Sequence, residues 1–248
     1  DQPRSRGLGD VYKRQDLIPE IGTTATIDEE KEVCATEVFT LTDTVEYKHL
    51  VPGKEYTVKG ILMDKATGEP FLQNGEQITS EVTFVPEAPS GSVEVLFTFD
   101  AKLIKADTNI VVFESLYSDS KELTVHADIE DDVQTVTVIV PEIKTEASTD
   151  GKKETTIGGE ITIEDIVSYH NLTPGKEYVV KGTLMNKTTG KPVTVNDEPV
   201  TAEAAFTPEG RDGEVKVSFT FNSYVITETT DVVVFESLYR EDVEIAVH

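Results

Sequence analysis

Apolar and polar residues alternate along much of the chain with a period of two. Phe39, Leu41, Val45 and Tyr47 share one parity, and Ile161, Ile163, Val167 and Tyr169 repeat it further on. That is the period of a strand with one face buried and one wet. Tyr56 to Leu62 and Val93 to Phe99 read the same way. Turn signals separate these runs: Pro52-Gly53, Thr67-Gly68, Asn74-Gly75 and Ser90-Gly91. No sustained helical period occurs. About seven short strands with regular turns predict an all-β fold of immunoglobulin-like antiparallel sandwiches.

The strands come in two sets. Residues 19–126 recur at 141–248 with a constant offset of 122 and no gaps. Pro52-Gly53-Lys54-Glu55-Tyr56 returns as Pro174-Gly175-Lys176-Glu177-Tyr178, and Val111 to Tyr117 returns unchanged as Val233 to Tyr239. Tandem domains of about 120 residues follow. We expect one complete sandwich over 16–140 and a second over 141–248 that lacks its last strand and leaves a sheet edge open. Val136 to Val140 runs into Pro141 with no Gly/Ser linker, so a stiff connection between the two is expected. Residues 1–15 stand apart. Three of the five arginines (Arg4, Arg6, Arg14) fall there, and the segment resembles translated adapter read-through, a non-native tail to be left out of fold reasoning. Such a start, with an unfinished second repeat, reads as an interior fragment of a longer multi-repeat protein.

Charge narrows the function. The 248 residues hold 22 Lys+Arg against 47 Asp+Glu, a formal net charge of −25. An acidic surface repels phosphate backbones and anionic lipid, so no nucleic-acid partner is expected. No membrane insertion is expected either, as no stretch of 18 apolar residues occurs. Eight Tyr and ten Phe supply core material, whereas Trp is absent. The one cysteine, Cys34, excludes an intrachain disulfide or a cysteine metal cluster; it aligns with Thr156 and reads as a spare strand residue. No cofactor or metal site is expected.

Against this plain background some residues are out of place. Asp43 lies within the apolar stripe of its strand, and Asp165 repeats it. A carboxylate pointing into a core costs several kcal/mol unless it is paired, protonated or hydrogen-bonded. Glu114 follows Val111-Val112-Phe113 and returns as Glu236. Two buried carboxyls in contact share one proton. Of the four histidines, only His126 has a histidine counterpart, His248. Thr23 shares parity with Ile21 and Ala25 and returns as Thr145, while Gln134 shares parity with Val136, Val138 and Val140. A strand Thr is ordinarily just a good β-former, and a lone His a surface residue. The weight lies in the set.

Ile21-x-Thr23-x-Ala25, Val112-Phe113-Glu114 and His126-Ala127-Asp128, eight residues before Gln134, together resemble the VaFE repeat, or Thr–Gln ester-bond domain, over essentially all of 19–248. The resemblance implies a surface-anchored adhesin or pilus-like stalk of a Gram-positive bacterium, extracellular and held to the cell wall. Its partners would be neighbouring repeats of the same stalk and, through other domains, host ligands. It implies a spontaneous ester between Thr23 and Gln134, with Asp43, Glu114 and His126 in support. In that scheme the Glu114/Asp43 pair polarises the amide carbonyl, and His126 carries the hydroxyl proton toward the leaving ammonia. This is a single-turnover self-modification, not enzyme catalysis. In the second repeat Thr145, Asp165, Glu236 and His248 recur, but the matching glutamine position, 256, lies past His248, so no cross-link is expected there.

The sequence also admits competing readings. A Lys–Asn or Lys–Asp isopeptide also uses a buried acid, and Lys144 is near the right place. Loops such as Gln73-Asn74-Gly75-Glu76 could bind a glycan or host protein. A hydrolase has least support, since no repeated Ser/His/Asp or metal-ligand spacing appears.

Overall fold

The computed structural model describes residues 17–248; the adapter-like segment lies outside the described residues. In the first repeat the strands are β1 (Glu20–Ile27), β2 (Glu32–Cys34), β3 (Val38–Lys48), β4 (Tyr56–Asp64), β5 (Thr79–Phe84), β6 (Gly91–Asp100), β7 (Thr108–Ser118), β8 (Lys121–His126) and β9 (Thr135–Ile139). The second repeat supplies β10 (Glu142–Ser148), β11 (Glu160–His170), β12 (Tyr178–Asn186), β13 (Thr201–Phe206), β14 (Gly213–Asn222), β15 (Val232–Arg240) and β16 (Val243–Val247). Short two-residue ribbons complete both repeats. Among the described residues there is no α-helix.

Each repeat is a two-sheet sandwich. In the first, β1-β3-β6 face β2-β9-β7-β4-β5. The alternation read from sequence is the alternation of burial: Phe39, Leu41, Asp43, Val45 and Tyr47 of β3 are buried while their neighbours are not. Phe97 and Phe99 of β6 and Val58 and Leu62 of β4 meet them across the core. Burying one such side chain contributes about 1.5–3 kcal/mol. The Asn74-Gly75 turn has φ of 54° and 82°, the left-handed pair that a tight hairpin needs, and joins Leu72–Gln73 to Glu76–Gln77.

Along β7 one edge is shared between two partners. β8 pairs its second half, ending with His126 opposite Glu114, and β9 pairs its first half from Val111 to Thr108. Residues 127–134 bridge the gap. The chain therefore leaves the edge at His126 and rejoins it at Gln134, with Glu114 at the changeover. β9 also pairs the short β2 in parallel, Thr137 to Ile139 against Glu32 to Cys34. In the second repeat β12 pairs β15, and β16 covers Ser237 to Arg240, while Val232–Phe235 have no strand on that side. Residues 154–156, the counterparts of β2, form no strand. Val232–Phe235 thus form an open edge among the described residues.

Two residues, Val140 and Pro141, connect β9 to β10. The joint is polar. Arg211 donates to Glu32 Oε1 at 3.0 Å and to Cys34 Sγ at 3.2 Å. Lys176 binds Glu37 at 3.0 Å, Lys102 binds Glu241 at 3.0 Å, and the Thr36 and Thr173 hydroxyls meet at 2.7 Å. Cys34 is thus a joint residue and not a spare one. Burial pushes its thiol pKa up, against the opposing pull of the Arg211 guanidinium.

Candidate functional site

β1 and β3 pair antiparallel with Ala25 opposite Asp43 and Thr23 opposite Val45, so Thr23 and Asp43 are diagonal neighbours on the inner face. The small Ala25 leaves room beside the carboxyl. From the other sheet Glu114 points inward with Gly60 opposite it on β4. A Cβ at Gly60 would stand 2.5 Å from Phe97 Cζ, so the glycine admits the ring that walls this part of the core. Gln134 enters from the start of β9.

Four polar side chains meet in this dry space: Thr23 is 7% exposed, Asp43 0%, Glu114 1% and Gln134 0%. The Gln134 amide nitrogen donates to Thr23 Oγ1 and, at 2.7 Å, to Glu114 Oε2. Burial, then the neighbouring Asp43 carboxyl, pushes the Glu114 pKa up to about 10. Burial also raises Asp43, while Glu114, Thr23, His126 and Lys31 each act to favour its ionised form. Both Asp43 oxygens and Glu114 Oε1 lack any donor from another group. A single proton on Glu114, hydrogen-bonded to Asp43, satisfies the pair at neutral pH.

Two details differ from the sequence expectation. The carboxyl pair meets the amide nitrogen of Gln134, not its carbonyl, and Oε1 has no partner. Rotating the amide by half a turn would bring Oε1 to the carboxyl pair. His126 makes no hydrogen bond to Thr23 or Gln134. Its Nε2 meets Asp131 Oδ2 at 2.9 Å, and this bond holds the Asp131 carboxyl below its usual range. Asp131 went unnoticed in sequence because it sits among Asp128, Glu130 and Asp132, which read as solvated charge.

In the second repeat Asp165 and Glu236 are 0% and 1% exposed and Thr145 is half-buried beside them. Burial, then Asp165, pushes Glu236 up to about 9. The exposed His248 is tied to Glu236 only through backbone bonds. No glutamine follows Gln134 in the 248 residues.

Two residues of the competing readings have definite places. Lys144 is exposed, on the strand face opposite Thr145 and Ala147, away from Asp165. Gln73 is occupied with the backbone of Asp100, donating at 2.9 Å and accepting at 3.0 Å. Among the described residues no group of three His, Cys, Asp or Glu side chains is placed to hold a metal, and no helix is long and apolar enough to cross a membrane.

No curated protein sequence matches the chain. Among solved structures, a bacterial adhesin from Mobiluncus mulieris, described as containing intramolecular disulfide, isopeptide and ester bond cross-links, is similar at 16% identity. The similarity covers 90% of this chain and 81% of that one, with a TM-score of 0.44. Red sea bream transglutaminase is similar at 12% identity over 94% of this chain and 31% of its own, with a TM-score of 0.34. The family model of the T-Q ester bond containing domain matches twice, at residues 19–138 and 141–248. With both repeats matched along nearly their whole length, the chain belongs to the T-Q ester bond domain family.

Proposed function

We propose that the chain is a structural stalk module of a cell-surface adhesin, stapled by an autocatalytic ester between Thr23 Oγ1 and the Gln134 side-chain carbonyl. The observation that carries the reading is the buried contact of the Gln134 amide with Thr23 and Glu114, beside Asp43. Asp43, the ionised member of the pair, takes the Thr23 proton as Oγ1 attacks the amide carbon. Glu114, in contact with the nitrogen, gives its proton to the leaving ammonia. The C–N bond breaks, the C–O bond remains, and the pair again holds one proton. Folding supplies the proximity, which lowers such barriers by about 7–11 kcal/mol. Burial keeps water from the product.

The consequence is mechanical. The ester closes a loop of 112 residues, Thr23 to Gln134 inclusive. A loop of this size is worth about 4–5 kcal/mol in the chain-entropy account. Neighbouring repeats of the stalk are the partners this reading needs, and host ligands would bind elsewhere on the adhesin.

Intact mass of the full chain tests it. Loss of one ammonia is expected, with none lost in Thr23→Ala or Gln134→Ala, and hydroxylamine should reopen the link. A folded wild-type chain of unreduced mass would refute the reading.

A further inference from the structure

Thr23 and Gln134 belong to different sheets, and no ladder of backbone bonds runs between their strands. One backbone hydrogen bond, Ala25 N to Val133 O at 3.2 Å, ties β1 to the residue before Gln134. The second tie is a side chain. Lys31 lies just past the Asp28-Glu29 turn, whose φ values of 50° and 68° fold the chain sharply back from β1. Its main-chain oxygen accepts from Thr137 N of β9 at 2.7 Å. Its ammonium donates to the carbonyls of both Ala25 and Val133. Those carbonyls are two residues from Thr23 and one from Gln134, so a single cation clasps the two reacting strands beside the reacting atoms.

The second repeat keeps half of this arrangement. Lys153, the counterpart of Lys31, donates to the carbonyl of Ala147, the counterpart of Ala25, at 2.8 Å. The lysine therefore takes its place on the threonine strand even where no glutamine strand is bound. It is set there by the turn, not by the partner it would capture.

We propose that Lys31 is a positioning residue for ester formation, holding the Thr23 and Gln134 strands together at their carbonyls before the covalent bond exists. The inference rests on the ester reading above. Its charge has a second effect. Lys31 and Asp43 attract one another, as do Lys31 and Asp131, against the desolvation that lowers the lysine pKa. Asp43 faces Glu114, Thr23, His126 and Lys31. Of these groups, the Lys31 ammonium favours the carboxylate that accepts the hydroxyl proton. The side chain is exposed as a whole, so replacing it opens no cavity.

The test is a time course of ammonia loss, by intact mass, in full-length chains sampled from a cell-free synthesis. The set is wild type, Lys31→Met, Lys31→Arg and Lys153→Met, each followed across pH 5 to 8. Lys31→Met should react about tenfold slower or more, since small misplacements of reacting groups cost rates of this order. Its acid limb should move to higher pH, because Asp43 loses a favourable charge. Lys31→Arg should restore both, and Lys153→Met should match the wild type. Hydrogen exchange of each variant in a Thr23→Ala background reports whether the sandwich folds. A folded Lys31→Met that reacts at the wild-type rate overturns the proposal. A uniform slowing, with no pH shift and no rescue by arginine, also overturns it, as this marks a role in folding alone. A wild-type chain that never loses ammonia overturns the ester reading itself, and Lys31's role falls with it.

Discussion

The carboxyl pair of the second repeat is buried, so its cost should be visible directly in stability. Asp165 and Glu236 are 0% and 1% exposed, and none of their four oxygens has a donor from another group. Glu236 ionises near 4.5 when free and is pushed up to about 9 in the fold. Between these values the folded chain keeps a proton that the unfolded chain has released. Rising pH therefore favours unfolding, by about 1.4 kcal/mol per unit. By pH 7 the accumulated loss reaches at most about 3 kcal/mol. Glu236→Gln removes the titration while its amide can donate to Asp165 in the proton's place. The variant should gain up to ~3 kcal/mol on the wild type between pH 4.5 and 7. Hydrogen exchange of peptides from Tyr178–Asn186 and Val232–Arg240, corrected for intrinsic rates, measures this within the full chain. Parallel pH dependences for variant and wild type, whatever the offset between them, would refute the argument.

Two further outcomes follow from packing and from the joint. Gly60→Ala or Gly182→Ala places a Cβ 2.5 Å from Phe97 Cζ or Phe219 Cζ, and should lower the stability of that repeat by about 1–3 kcal/mol in thermal melts. An unchanged melting temperature would mean the rings yield freely. The ion pairs of the joint are half-exposed and worth about 0.2–1 kcal/mol each. Salt at ~1 M, where the screening length is about 3 Å, should open the joint. Cys34 is buried under Arg211 and has no thiol competitor in the chain, so faster iodoacetamide labelling in high salt would report the opening. A labelling rate indifferent to salt would place the strength of the joint elsewhere.

Strands with one wet face were legible because alternation writes burial into the sequence. The β3 stripe also exposed Asp43 as an intruder, since any polar residue at that parity must face the core. The offset of 122 then separated Glu114 from many solvated acids. What stayed hidden lacked such a pattern. Glu32-Val33-Cys34 is three residues long and pairs in parallel with a strand about 100 residues away, so no local period marks β2. Lys31, in the run Asp28-Glu29-Glu30-Lys31, reads as ordinary surface charge. Only its recurrence as Lys153 could have singled it out. His126 was visible, but its bond to Asp131 depends on how the 127–134 segment folds back.

One continuous path links these features. Gln134 immediately precedes β9, β9 pairs with β2, and β2 carries the Glu32 and Cys34 that receive Arg211 across the joint. In the second repeat no strand lies along Val232–Phe235 and residues 154–156 are irregular. If the ester joins Gln134 to Thr23, tension entering at Val140 travels back along five β9 residues and then crosses a covalent bond to β1. Residues 24–133 leave the load path altogether. The sandwich core would then serve chiefly to assemble and shelter the bond, while the bond, and not the core, would carry the force.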